Sequence, residues 1–179
     1  MIQVMVRPTA RGFVDARTVR RRAQRVLERM GRGQADVCIV LTDDEEIHTL
    51  NAQWRAQDKP TDVLSFPAAL EGMTPVSGAP EVLGDIVISV ETVARQVGDG
   101  PLPRLETCVG AERFAAWSGH DELTFVLLHG LLHLCGHDHM KAAERKRMEA
   151  LEHAYLPALL GRAVEKSATR AARTARPRS

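Results

Sequence analysis

The sequence predicts an α+β domain built on a mixed sheet of about four strands that is packed by helices. Short apolar segments rich in β-branched residues are interleaved with segments of helical periodicity, and the alternation is not strictly strand–helix–strand. The chain has 179 residues, of which 44% are hydrophobic and 26% are charged, and a chain of this kind can bury a core. We therefore expect residues 1–160 to form a single domain.

Four segments have the composition of strands, because each is short and dominated by apolar residues. The first and the third are closed by Pro8 and Pro67, and proline cannot donate a hydrogen bond to a sheet. The four predicted strands are residues 2–6, 37–41, 63–66 and 83–90.

Five segments have helical periodicity. The second of them follows Thr42–Glu45, which has the spacing of a capping box, and it is broken at Pro60. The fourth begins near Asp121, is strongly apolar and is expected to stop at Gly136. The other three predicted helices are residues 17–30, 91–97 and 141–154, and loops are expected at residues 71–80 and 98–110.

Charge is distributed unevenly although the formal net charge is only +1. Residues 1–32 contain nine arginines and two carboxylates, a local balance of +7, whereas residues 33–161 sum to −11 and residues 162–179 to +5. The polar face of the first helix is a candidate RNA-binding surface, since arginines neutralise phosphates; a solvated charged face is the alternative. Its arginines are Arg20, Arg21, Arg22, Arg25 and Arg29. Residues 161–179 are expected to form a basic disordered tail, because their last fourteen positions contain no large apolar residue.

Membrane and secreted classes are disfavoured. No apolar run approaches the roughly 18 residues that span a bilayer, and the N-terminal residues lack the layout of a signal peptide. The cysteines, Cys38, Cys108 and Cys135, form no CxxC pair, and their odd number fits no disulfide framework. We expect a cytoplasmic protein without a membrane partner.

A histidine cluster is the strongest chemical signal in the sequence. His129 and His133 are four residues apart, so on a helix they project from one face at a spacing that lets two imidazoles share a metal. Gly136 permits a chain reversal that can return His139 as a third ligand. Three imidazoles leave a fourth position for water, which is typical of a catalytic zinc site. Ni²⁺ or another divalent metal is also compatible with three imidazoles, and hydrogen-bonded core histidines are the non-functional alternative.

The same spacing matches the zincin-like HExxHxxGxxH motif of metzincin proteases at every position except one. The protease general base would occupy position 130, which is Gly130 here. Asp138, between two histidines, is a candidate base or a residue that orients a ligand, and it is equally compatible with a role in the turn. A metallopeptidase that recruits its base from elsewhere, and a non-catalytic zinc-stabilised ribosome-binding module, remain the alternatives to a hydrolase acting on RNA.

Three segments together resemble the YbeY family of bacterial endoribonucleases. Residues 129–139, HGLLHLCGHDH, resemble its HGxLHLxGYDH signature; residues 50–67, LNAQWRAQDKPTDVLSFP, and residues 83–89, LGDIVIS, resemble two further motifs. The resemblance covers roughly residues 35–155. Two departures are His137, where the family usually has tyrosine, and Gln57, where it usually has lysine. The 98–120 connection is longer than is typical of the family.

The resemblance implies a metal-dependent, single-strand-specific endoribonuclease that matures the 3′ end of small-subunit (16S) rRNA and acts in ribosome quality control. Its partners would be precursor rRNA and the ribosome or its small subunit. His129, His133 and His139 would be the zinc ligands, and Arg55 the functional arginine. The chemistry of Arg55 agrees with this role, because a guanidinium binds phosphoryl oxygens in bidentate fashion and Trp54 is a possible stacking neighbour. The alternative is a surface arginine whose stem packs on Trp54.

Overall fold

A computed structural model describes residues 1–68 and 80–161, and it contains the four predicted strands in one mixed sheet. The predicted α+β class is therefore confirmed. The strands are β1 (Ile2–Val6), β2 (Asp36–Thr42), β3 (Val63–Pro67) and β4 (Val82–Ser89). The α-helices are α1 (Ala16–Arg29), α2 (Asp44–Arg55), α3 (Val90–Asp99), α4 (Glu106–Val109), α5 (Ala111–Ala115), α6 (Gly119–Leu134) and α7 (Ala142–Leu160). The expected 71–80 loop, apart from Pro80, and the expected basic tail, apart from Gly161, lie outside the described residues.

The strand order is β1-β2-β4-β3, so sequence neighbours β3 and β4 pair at one side of the sheet. β2 pairs in parallel with both β1 and β4, whereas β3 runs antiparallel to β4. The register places Ile39 opposite Ile86, and Ile86 opposite Ser65 of the edge strand β3. β3, the antiparallel edge strand, lies alongside α6.

Different helices cover the two faces of the sheet, because side chains alternate between the faces along each strand. Val40 and Val87 pack on one face with Ile47 of α2. Ile39 and Ile86 belong to the larger core on the other face, which includes buried residues of α1, α6 and α7. Burial on both faces explains why the central strands are near-continuous apolar runs in the sequence.

The central helix α6 is buried along almost its whole length. Twelve of its sixteen residues are buried, and the four others are Gly119, His120, His129 and His133. Its first turn is fixed by a capping box in which Ser118 and Asp121 satisfy each other's backbone N–H groups. A helix that is apolar nearly all round is typical of a core position. In the C-terminal half of α6, only His129 and His133 are not fully covered by the core.

Three local predictions were wrong. The 98–110 segment contains the 3-10 turn Pro103–Leu105 and α4, because Leu105 is fully buried and anchors it. The last helix extends to Leu160, since buried Leu156 and Leu159 hold its final turns to the core despite Pro157. The cap of α2 lies one residue later than predicted: Asp43 accepts the backbone N–H of Glu46, while Thr42 belongs to β2.

No helix in the described part of the chain combines the length and the hydropathy needed to cross a membrane.

Gly84 is the position where the sheet tolerates no side chain. Its φ is +124°, and an added Cβ would lie 2.0 Å from the carbonyl oxygen of Phe66 and 2.7 Å from the amide nitrogen of Ala68.

We expect Gly84→Ala to lower the free energy of unfolding by at least about 2 kcal/mol, from overpacking and backbone strain together. Urea unfolding measures this effect. Gly98→Ala in α3, where the space is open, is the control and should be neutral or stabilising by up to about 1 kcal/mol; equal midpoints for the two variants would contradict the expectation.

Candidate metal centre

The turn after α6 returns the chain to the helix at the point where the histidines lie. Gly136 has a φ of +87°, and its N–H donates to the carbonyl oxygen of His133 at 3.0 Å. The next N–H, that of His137, donates to the carbonyl oxygen of Leu132 at 3.0 Å. These two bonds satisfy helix-terminal carbonyls in the manner of a Schellman motif. The reversal carries His139 back beside His129 and His133, as the sequence predicted.

The three imidazoles form one group whose ligand atoms all lie within 4.8 Å of one another. The Nε2 atoms of His129 and His133 are 3.2 Å apart, close to the roughly 3.3 Å that separates two ligands in a tetrahedral zinc site with Zn–N distances of about 2.05 Å. The His139 ring lies 5.4 Å from that of His129 and 5.0 Å from that of His133. This donor set is suited to a divalent metal ion.

The protonation of His133 is affected by its surroundings. Burial, with the neighbouring His129 and His139 as further causes, lowers the pKa of His133 to about 4. The imidazole is therefore neutral at physiological pH, which is the form that binds a metal.

A buried carboxylate that the sequence analysis missed supports His129 from α7. Oε1 of Glu152 lies 2.7 Å from Nδ1 of His129, and Glu152 is 1% exposed. Its other oxygen lies 2.6 Å from Nη1 of Arg104. Burial by itself would raise the pKa of Glu152, but the hydrogen bond with His129 and the charge of Arg104 outweigh burial, so this pKa lies below its usual value. No spacing in the sequence identifies this partner, because its position depends on how α7 packs against α6.

Arg55 lies at the same cavity as the three histidines. The cavity has a volume of about 890 Å³, and Arg55 lines it together with the imidazoles. Nη2 of Arg55 donates to the carbonyl oxygen of Ser65 at 3.1 Å, which aligns the guanidinium along β3. Trp54 is 62% exposed and meets Phe66 edge-on at 6.1 Å, so its indole is available at the surface next to Arg55.

Asp138 and His137 line the cavity but contribute differently from the three ligand candidates. Oδ1 of Asp138 accepts the backbone N–H of His139 at 2.7 Å, and this bond lowers the pKa of Asp138. This hydrogen bond lies within the turn that presents His139. His137 lines the cavity outside the group of three ligand atoms.

Gly130 faces the sheet rather than the cavity. A Cβ at this position would lie 3.1–3.3 Å from side-chain atoms of Val63, Ser65 and Ile86, and its carbonyl oxygen accepts the Ser65 hydroxyl at 3.1 Å. A glutamate here would meet β3 and β4. The close packing of α6 on the sheet therefore opposes the side chain that the metzincin motif requires.

A second buried carboxylate, Glu122, also lines the cavity and was missed by the sequence analysis. It accepts Nε1–H of Trp117 at 2.6 Å, and burial raises the pKa of Glu122. Glu122 precedes His129 by seven residues, which places it about 10 Å away along the helix axis. Glu122 therefore lines the cavity about two helical turns from His129.

Four of the five arginines predicted to form a surface on α1 are exposed, and the fifth, Arg22, is half-buried. Nε of Arg20 donates to the carbonyl oxygen of Ile2 at 3.0 Å, and Nη1 of Arg22 donates to that of His120 at 3.2 Å. Burial lowers the pKa of the half-buried Arg22. Arg21, Arg25 and Arg29 are exposed at four-residue spacing and form one row, named the arginine row below. Because Arg22 meets the first turn of α6, this surface lies at the opposite end of that helix from the histidines.

Comparisons with known proteins agree with this architecture. A family model described as Endoribonuclease YbeY matches residues 9–160. An Endoribonuclease YbeY of Rhodopseudomonas palustris is 42% identical over 127 residues, covering 71% of this chain and 58% of the relative. The relative of the same name from Erythrobacter litoralis is 39% identical over 135 residues, covering 73% of this chain and 74% of the relative. The chain thus spans less than two thirds of the first relative's length.

A solved structure shares the fold. The solution structure of TM1509 from Thermotoga maritima superposes with a TM-score of 0.56, covering 90% of each chain at 24% sequence identity.

The lowered pKa of His133 predicts a pH dependence for the protein stripped of metal. Between pH 6.5 and pH 4 the unfolded chain binds a proton at this imidazole and the folded chain does not, so stability falls as the pH falls. After allowance for solvent screening we expect a loss of about 1–2 kcal/mol. Denaturant unfolding of the wild type and of His133→Gln at pH 7 and pH 4.5 measures it. The wild type should lose more stability than the variant; parallel losses would contradict the assignment.

Proposed function

The chain belongs to the Endoribonuclease YbeY family, and on that basis we propose that it is a metal-dependent endoribonuclease that cleaves single-stranded RNA. The main observation behind the proposal is that the three imidazoles and Arg55 line one cavity of about 890 Å³. A ligand group with an adjoining cavity is typical of a catalytic rather than a structural metal site.

We propose Zn²⁺ as the ion, held by His129, His133 and His139, with Ni²⁺ or another divalent metal as an alternative occupant. When bound, such an ion supplies Lewis acidity and lowers the pKa of a coordinated water. The donor set supports the assignment, because two imidazole nitrogens already lie at a spacing typical of ligands that share one ion.

Arg55 is the proposed phosphate-binding residue. Cleavage of a phosphodiester develops charge on phosphoryl oxygens, and a guanidinium stabilises such charge with directed N–H donors. Its hydrogen bond to Ser65 leaves other N–H groups to face the cavity. The exposed indole of Trp54, on the adjacent residue, suits stacking of an unpaired base, which supports a preference for single strands.

Asp138 is the proposed proton acceptor at the cavity. It is exposed beside His139, and its pKa is lowered, so it is a carboxylate near neutral pH. The reaction can begin with water or with the 2′-hydroxyl of RNA, and both need a group that accepts a proton.

The broader role follows from the family. We propose that residues 1–160 act as one domain in the cytoplasm, on precursor rRNA and the ribosome or its small subunit, in 16S rRNA 3′-end maturation and ribosome quality control. The tight packing around Gly130 argues against a metallopeptidase with the general base at this position, because a Cβ there would approach three side chains to 3.1–3.3 Å. The cavity beside the histidines argues against a purely structural zinc.

Cleavage of labelled single-stranded RNA by metal-analysed protein tests this function. We expect a chelator or His129→Ala to abolish cleavage, and Arg55→Ala to lower kcat by about 10²–10³-fold, as for loss of a transition-state donor. His48→Ala, an exposed histidine paired with Asp58, is the matched control and should retain activity. Undiminished cleavage by folded His129→Ala would overturn the assignment, and so would cleavage of peptides but not of RNA.

The arginine row predicts a salt-dependent contribution to RNA binding. Replacing Arg21, Arg25 and Arg29 together by alanine should weaken binding of single-stranded RNA and reduce the slope of log K against log salt by about 2, at 0.7 per phosphate contact. Fluorescence anisotropy of a labelled oligonucleotide at several salt concentrations, with chelator present, provides the measurement. The triple lysine variant keeps the charge and should keep the slope. An unchanged slope in the alanine variant would show that the row is only solvated.

A further inference from the structure

Glu152 and His129 form a polar contact at the metal centre that joins a buried carboxylate to a ligand candidate. They come from different helices, α7 and α6, and are 23 positions apart in the chain. Glu152 is 1% exposed, and its Oε1 lies 2.7 Å from Nδ1 of His129. Burying a carboxylate is costly unless it is paired. The contact with His129 therefore offsets part of the cost of desolvating Glu152.

The position of the carboxylate selects the tautomer of His129. An ionised Glu152 can only accept, so Nδ1 of His129 carries the hydrogen and Nε2 keeps its lone pair. That Nε2 lies 3.2 Å from Nε2 of His133, on the side where the three imidazoles meet. Glu152 therefore directs the metal-binding nitrogen of His129 toward the other two ligands.

Arg104 forms a further layer behind Glu152. Its Nη1 lies 2.6 Å from Oε2 of Glu152, in an ion pair without hydrogen-bond alignment. The Arg104 guanidinium also lies 5.5 Å from the ring centre of Phe125, which is one turn before His129 on α6. The neighbouring Leu105 is fully buried, and it anchors the 3-10 turn that carries Arg104.

We propose that Glu152 is a positioning residue for the metal centre, which fixes the tautomer and the orientation of His129, and that Arg104 holds Glu152 in place. The 3-10 turn Pro103–Leu105 then sets metal affinity without supplying a ligand. This inference rests on the proposed metal site but not on the RNA substrate. Partners of this kind orient a ligand and raise its affinity for the ion.

Metal affinity, rather than nuclease activity, tests the proposal. Zn²⁺ dissociation constants are measured by competition with a chromophoric chelator for the wild type, Glu152→Gln, Arg104→Met and Glu149→Gln. We expect Glu152→Gln to weaken Zn²⁺ binding by roughly 10–100-fold, and Arg104→Met by a smaller factor. Glu149→Gln is the matched control: it is one turn before Glu152 on α7, is half-buried, and approaches Arg104 only to 4.0 Å. It should bind Zn²⁺ as the wild type does.

The visible absorption of Co²⁺-loaded protein separates positioning from a purely structural ion pair. Loss of the carboxylate should shift the bands of Glu152→Gln, whereas a structural ion pair would change the unfolding midpoint alone. Gln matches Glu in volume and retains an acceptor, so the variant is expected to fold, and far-ultraviolet circular dichroism checks this. A folded Glu152→Gln with wild-type Zn²⁺ affinity and an unshifted Co²⁺ spectrum overturns the inference. A wild type that binds neither ion overturns the metal centre itself.

Discussion

The packing of α6 against the sheet is the contact on which the site depends. The helix is close enough to β3 and β4 that a Cβ on Gly130 would lie 3.1–3.3 Å from three side chains, and the carbonyl oxygen of Gly130 accepts a hydrogen bond from Ser65. This contact fixes the rotation of the helix about its axis, so that His129 and His133, on the side adjoining Gly130, line the cavity. The same strand supplies the carbonyl oxygen that aligns Arg55, so one helix–strand contact sets the geometry of both the imidazoles and the guanidinium.

The features that the sequence predicted correctly depend on local rules. The strands, the buried central helix and the turn at Gly136 follow from periodicity and from the conformational freedom of glycine. Glu152 and Arg104 were not predicted, because their positions depend on how α7 and the 3-10 turn pack against α6 rather than on residue spacing. In the sequence, Glu152 is one charge among many on an amphipathic helix, and only its 1% exposure distinguishes it.

The fold shows which charged side chains of the sequence are buried and paired and which are solvated. The acidic middle of the chain contains two buried carboxylates whose pKa values shift in opposite directions. Burial raises the pKa of Glu122, whereas in Glu152 the hydrogen bond with His129 and the charge of Arg104 outweigh burial and lower it. On α1, Arg20 and Arg22 both donate to backbone carbonyl oxygens, but Arg20 remains exposed whereas Arg22 is half-buried, and arginine content alone does not distinguish the two. The difference between a solvated charge and a structural one lies in tertiary contacts.

The turn at Gly136 also has a consequence for the order of assembly. All three imidazoles lie within eleven consecutive residues, so little loop-closure entropy is lost in bringing them together. We therefore expect a nascent or partly unfolded chain that forms only this helix and turn to bind an ion. Because a metal that also binds the unfolded state stabilises the native state less, such binding reduces the stabilisation that the metal confers on the native state. Glu152, which arrives with a later segment of the chain, is what would distinguish the mature site from this early chelate.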